Sequence, residues 1–254
     1  MPTVSVVIPA LNEARNLPHV FARLPEVHEV IIVDGHSVDG TPDVARELRP
    51  DVRIVTQTRR GKGNALACGF AAATGDIIAM IDADGSTDPA EIPRFVKSLT
   101  DGADFAKGTR FTAGGGSSDI TRLRSAGNKL LCRLFNVLYR TRYSDLCYGY
   151  NVFWRDQVRA FALDHQDTAP QWGDGFEIEA LLSIRASVAG LAVTEVGSFE
   201  HPRIHGESNL NTFRDGFRVL RTIFAERGRN RRAAREEAEL VTLRLADVLE
   251  GSVR

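Results

Sequence analysis

The chain has 254 residues, 43% of them hydrophobic, and a formal net charge of −1. That is enough for one substantial core with a helical appendage, and too balanced overall to form an electrostatic trap for nucleic acid. Three cysteines (Cys68, Cys132, Cys147) with no C-x-x-C pair argue against a disulfide framework or a zinc site, and for reduced thiols in a cytoplasmic protein.

Val4-Ser5-Val6-Val7-Ile8 is a β-branched run stopped by Pro9, so the strand pattern starts almost at once and predicts no signal peptide. A helix is expected from about Glu13 to Leu24, with Asn12 as its cap. Val30 to Val33 reads as a second buried strand ending at Asp34-Gly35, and a helix starts near Thr41-Pro42, where proline is tolerated in the first turn. Val52 to Thr56 is a third strand. Gly61-Lys62-Gly63 opens a small-residue helix through Ala73, closed by Gly75. A fourth strand spans Asp76 to Ile81, and a helix from about Asp88 to Leu99 follows. Alternating helices and continuously apolar strands predict a parallel sheet covered on both faces.

The fourth strand runs into Ile81-Asp82-Ala83-Asp84-Gly85. Alternate residues of an extended chain point the same way, so Asp82 and Asp84 face one point just beyond a strand's carboxyl end. Open α/β sheets place their ligands there. Paired hard oxygens suit Mg²⁺ or Mn²⁺ bridging a diphosphate.

After Gly108 the pattern changes. Thr112 to Ser118 is a Gly/Ser-rich loop expected to be mobile. Residues 121–140 read as an amphipathic helix, Asn151 to Trp154 as a strand, and 176–189 and 210–226 as helices, with Val193 to Phe199 extended between them. From Arg227 the chain becomes a charged Ala/Glu/Arg-rich tail, expected to be helical. Six basic residues and no acid lie between Arg122 and Arg142, and eight arginines against two acids between Arg214 and Arg235. Such stretches fit an interfacial helix on anionic lipid or a helix packed on the core. No uncharged apolar run reaches the ~18 residues of a membrane span.

No G-x-x-x-x-G-K-[ST] occurs, which argues against a P-loop enzyme, and the first strand lacks the dinucleotide-binding G-x-G-x-x-G. The glycine of Asp82-Ala83-Asp84-Gly85 comes too early for an EF-hand.

Ile8-Pro9-Ala10-Leu11-Asn12-Glu13, Val33-Asp34-Gly35-His36-Ser37-Val38-Asp39-Gly40-Thr41, Gly61-Lys62-Gly63-Asn64-Ala65 and Asp82-Ala83-Asp84-Gly85 occur in that order. Together they resemble the family 2 inverting glycosyltransferases of GT-A fold, in particular the dolichol- or polyprenyl-phosphate mannosyltransferase branch. The likeness continues through Gly108-Thr109-Arg110-Phe111, Asp145 to Tyr150 and Arg203 to Leu210. It implies an α/β fold with a mostly parallel sheet, flanking helices and amphipathic C-terminal helices. It also implies one domain over 1–226, with a nucleotide half (1–107) and an acceptor half (108–226), and a helical tail over 227–254.

By the same resemblance, Pro9, Asn12 and Glu13 line the nucleotide pocket, Asp34 bonds the base or ribose, and Lys62 approaches the donor phosphates. Asp82 and Asp84 hold Mg²⁺ or Mn²⁺. Arg110, with Arg122 or Arg124, grips an acceptor phosphate, a task that suits the planar guanidinium. Arg203 and Ser208 close over the diphosphate. The chain departs from the family pattern at His36, at Ser86 where a glutamine often stands, and at Asn209 where lysine is usual.

The implied reaction moves mannose or glucose from a GDP- or UDP-sugar to a polyprenyl phosphate, at the inner membrane face. A phosphate oxygen needs no strong base. A hydroxyl acceptor on a sugar or small molecule would need a carboxylate, and Asp145, Glu177 and Glu179 are the candidates. A nucleotidyltransferase and a non-catalytic nucleotide-sugar binder are the other readings. The former usually has a basic, Gly-rich amino-terminal loop that this chain lacks.

Overall fold

The computed structural model describes residues 1–207 and 211–251, with side chains of the last helix described as far as Arg232. The first half is a run of strand-helix units: β1 (Val4–Ala10), α1 (Leu17–Phe21), β2 (Glu29–Asp34), α2 (Thr41–Leu48), β3 (Arg53–Thr56), α3 (Lys62–Ala72), β4 (Ile77–Met80) and α4 (Ile92–Thr100). The second half holds β5 (Phe105–Thr109), β6 (Gly116–Ser117), α5 (Arg122–Tyr139), β7 (Asn151–Trp154) and α6 (Val158–Phe161). It ends in α7 (Ile178–Val188), β8 (Val193–Gly197), β9 (Phe199–Glu200) and α8 (Thr212–Gly251).

One seven-stranded sheet has the order β3-β2-β1-β4-β7-β5-β8. The chain builds outward from β1 to β2 and β3, then returns to place β4 on the other side of β1, all in parallel. The carboxyl ends of β1, β2 and β4 therefore open at one edge, beside a change of winding direction, where such sheets bind ligands. The expected parallel sheet is interrupted once, because β7 runs antiparallel to both β4 and β5.

Side-chain alternation along the strands explains the two cores. Val6, Ile8, Ile32 and Ala79 meet Leu17 and Val20 of α1 and Phe95 and Leu99 of α4 on one face. Val7, Ile31, Val33, Ile78 and Met80 meet Leu66 and Phe70 of α3 and Leu181 and Leu182 of α7 on the other. A third cluster joins α5, α7 and α8 through Phe135, Ile184, Val219 and Ile223.

Three expectations change. The first helix is short, because Asn12 takes a left-handed conformation (φ 58°) and starts a turn instead of capping. The Gly/Ser-rich loop is pinned, since β6 pairs in parallel with β9. The last helix does not end near 226 but runs unbroken from Thr212 to Gly251. No helix among the described residues is long and apolar enough to cross a membrane.

Candidate functional site

The turn after β4 carries the Asp pair. Gly85 takes the positive φ (79°) that this turn needs, and Asp84 Oδ1 accepts the Ser86 N–H at 3.0 Å. Both carboxylates already face protein cations. Lys62, at the start of α3, places Nζ 2.6 Å from Asp82 Oδ1 and 2.7 Å from Glu179 Oε1. Arg203 lies 3.2 Å from Asp84 Oδ2 and bonds the Glu13 carboxylate.

Glu179 sits in the first turn of α7 and is 4% exposed. Burial raises its pKa, partly offset by Lys62. Burial alone would lower the Lys62 pKa, but Asp82 and Glu179 outweigh it and hold the ammonium firmly charged. Gly149 gives this cluster room: a Cβ there would come 3.0 Å from Lys62 Nζ and 3.1 Å from Asp82 Oδ2.

At the end of β1, Glu13 Oε2 accepts from Asn16 at 2.6 Å, and its pKa is raised by burial against the opposing pull of Asn16 and Arg203. Asn12 ties this turn to the next one, accepting the Val38 N–H at 2.9 Å and donating its own to Ser37 Oγ at 2.9 Å. Asp34, closing β2, spends its carboxylate on the His36 and Ser37 N–H groups at 3.1 and 3.2 Å. Pro9 is paired in register with Val33 inside the sheet. His36 is exposed, with φ 66°.

The segment before α8 folds over the Asp turn. His201 N–H donates to the Ser86 carbonyl at 2.9 Å and Ile204 N–H to the Asp84 carbonyl at 3.1 Å. The Arg203 guanidinium also bonds the His205 carbonyl at 2.7 Å. Ser208, expected beside Arg203, lies outside the described residues.

The structure brings Arg110 and Asp145 together, but against each other. Arg110 Nε is 2.7 Å and Nη2 3.0 Å from the two Asp145 oxygens, and Nη1 is 3.0 Å from Glu200. Asp145 is 0% exposed, so both its oxygens are held by a guanidinium rather than turned to an open site. Burial would lower the Arg110 pKa, but Asp145 and Glu200 outweigh it and raise it. Glu177 is fully buried at the entry to α7, where Oε1 accepts the Gly173 N–H at 3.2 Å. Oε2 has no hydrogen-bond partner among the described residues, with Arg218 Nε standing off at 3.4 Å. Arg122 is exposed, and Arg124 pairs with Asp119 at 2.9 Å, both on the first turn of α5.

Sequence reasoning did not single out the Lys62–Glu179 pairing or buried Lys107. The latter bonds the Tyr148 carbonyl and has its pKa lowered by burial. A lysine inside an apolar strand was the available signal. A separate cavity of about 460 Å³, lined by Arg59, Trp172, Asp174 and Arg185, contains none of the motif carboxylates. Its charges are paired internally, Arg59 with Asp174 at 2.9 Å and Arg185 with Glu226 at 3.2 Å.

Asp82 and Asp84 fit a hard divalent cation. They are two half-buried carboxylates one residue apart, the number Mg²⁺-type sites often take from protein when phosphate oxygens and water supply the rest. No group of three or more His, Cys, Asp or Glu that could hold a metal occurs among the described residues.

Comparison with known proteins bears on this geometry. The family described as Glycosyl transferase family 2 matches residues 5–160. An uncharacterized glycosyltransferase of Mycobacterium tuberculosis is 42% identical over 208 residues, 82% of this chain and 89% of that one. The dolichol-phosphate mannosyltransferase of Pyrococcus furiosus is 35% identical over 120 residues, 44% of this chain and 34% of that one. Glucosyl-3-phosphoglycerate synthase of M. tuberculosis, solved with Mn²⁺, UDP-glucose and phosphoglyceric acid, superposes with a TM-score of 0.66. That match is 26% identical and covers 89% of this chain and 80% of that one.

Proposed function

The chain belongs to glycosyl transferase family 2, and from that premise we propose that it transfers glucose or mannose from a UDP- or GDP-sugar to a polyprenyl phosphate at the inner membrane face. It is a hexosyltransferase of GT-A fold. The observation that carries the reading is the convergence of Asp82, Asp84, Glu13, Lys62 and Arg203 at the carboxyl edge of β1 and β4.

Asp82 and Asp84 would hold Mg²⁺ or Mn²⁺, which when bound supplies positive charge to the leaving diphosphate. The turns after β1 and β2, locked together by Asn12 and Ser37, shape the nucleoside pocket. Arg203 is positioned to exchange Asp84 and Glu13 for diphosphate oxygens, a planar fork for a bidentate anion. Lys62 bridges Asp82 and Glu179 and holds the two side by side. An attacking lipid phosphate oxygen is already anionic, so the absence of a free carboxylate at Asp145 costs nothing. Exposed Arg122 serves that acceptor phosphate, because Arg110 is committed to Asp145 and Glu200 and half-buried Arg124 to Asp119.

The likeness to a synthase solved with phosphoglyceric acid favours a second reading, in which a soluble hydroxyl is glycosylated. Glu179 would then be the base, since burial already raises its pKa.

The test incubates radiolabelled UDP-glucose, UDP-galactose or GDP-mannose with Mn²⁺, polyprenyl phosphate and phosphoglycerate in parallel. Butanol-extractable label, abolished by Asp84→Ala, supports the first reading. Label confined to water-soluble product moves the assignment to the second, and no transfer from any donor defeats both.

A further inference from the structure

The third core cluster leaves one face of the molecule uncovered. On α5, Phe135, Cys132 and Asn128 point inward, whereas Leu123, Leu130 and Val137 are 58, 68 and 78% exposed. They recur every seven residues, so they form one stripe along the helix. On α8, Phe213, Phe217 and Phe224 are 78, 66 and 53% exposed at offsets of four and seven, a second stripe. The stripes flank one seam. Leu134, four residues after Leu130 and three before Val137, joins the cluster that contains Val219 and Ile223. Tyr139 Oη donates to the Ile223 carbonyl at 2.8 Å, one residue from Phe224. An exposed aromatic patch of this kind marks an interaction surface.

Charge selects the occupant. Arg122, Lys129, Arg133 and Arg140 run beside the α5 stripe at the same seven- and four-residue spacing, all exposed, and α5 carries no acid. Arg214 and Arg221 are exposed on α8, and over its residues 212–232, where side chains are described, the two acids Asp215 and Glu226 are buried. The whole chain is nearly neutral, so this concentration of cations is local. A two-fold contact between copies would set these arginines against one another, whereas an anionic bilayer receives both the apolar stripes and the cations.

We propose that the α5–α8 face docks on an anionic lipid bilayer, the phenylalanines and leucines entering the interface and the flanking arginines meeting the headgroups. This deepens the lipid-phosphate reading, on which its purpose rests. The experiment is flotation of the full chain with vesicles of phosphatidylcholine alone or with roughly 30 mol % phosphatidylglycerol, without donor or acceptor, alongside light scattering for oligomeric state.

The expected result is at least tenfold tighter binding to the anionic vesicles. Leu130→Asp with Phe217→Asp should abolish it, and Arg133→Glu with Arg214→Glu should remove the preference, with unchanged circular dichroism. Equal affinity for both vesicles, no binding to either, or a dimer dissociated by Leu130→Asp would overturn it. Vesicle binding without transfer to lipid sinks the acceptor assignment and leaves the surface standing. Transfer to detergent-dispersed lipid without vesicle binding does the reverse.

Discussion

Replacing Lys62 by methionine tests the charge arrangement at the centre of the site. The substitution keeps most of the buried stem but removes the only cation within salt-bridge distance of Glu179 among the described residues. Removing one member of a buried ion pair costs about 3–5 kcal/mol. The Asp82 side chain is 26% exposed and keeps some hydration, and Glu179 relieves its own burial by taking up a proton. The expected loss at pH 8 is therefore roughly 2–3 kcal/mol, a melting drop of about 4–12 °C for a domain of this size.

The sign follows from linkage. Glu179 has a folded pKa above its unfolded value, so its burial destabilises above the folded pKa and is harmless below about 4.5, the ordinary value. Without Lys62 that folded pKa rises further, so the penalty shrinks as pH falls from 8 to 5. The Lys62 contribution itself is constant over this window. Its folded pKa lies above the ordinary 10.5, and its stabilisation disappears only at higher pH. Chemical denaturation at pH 5 and pH 8, in wild-type and Glu179→Gln backgrounds, reads both effects. A loss that is equal at both pH values, or that persists in full in the Glu179→Gln background, refutes the reasoning.

Arg203→Ala is expected to raise the donor KM about 10- to 100-fold, because charge-assisted contacts to a diphosphate are each worth roughly 1.5–3 kcal/mol. An unchanged KM in initial-rate assays would remove Arg203 from the donor site. Gly149→Ala crowds Lys62 Nζ and Asp82 Oδ2, and should cut kcat more than tenfold while the melting temperature falls by only a few degrees, roughly 1–3 kcal/mol of overpacking. Full activity in that variant would show that the cluster can move aside.

The strands were legible because buried parallel strands are continuous β-branched runs: Val30 to Val33 and Ile77 to Met80 can sit nowhere else. The Asp pair was legible because it follows such a strand directly. What stayed hidden depends on distant partners. Asp145 looks the same in sequence whether it faces a sugar or a guanidinium, and only the approach of β5 and β9 brings Arg110 and Glu200 to it. Choosing Glu179 over Glu177 depends on how α7 is turned relative to α3, which directs one carboxylate to Lys62 and the other to the loop ahead of the helix. The β6–β9 pairing escaped because two residues carry no periodicity.

The paired carboxylates and paired cations form one electrostatic unit. Asp82 and Asp84 lie one residue apart, and two like charges at that spacing destabilise each other unless something positive intervenes. Lys62 meets Asp82 and Arg203 meets Asp84, one anchored by α3 and the other on the segment leading to α8. The two anchors differ in kind. Lys62 is held additionally by buried Glu179 and has little reason to leave. Arg203 is held, besides Asp84, by Glu13, whose own burial disfavours its charge, and by the single carbonyl of His205. Any anion that offers Arg203 two oxygens competes with the weaker anchor, so on diphosphate binding Arg203 is expected to move and Lys62 to stay.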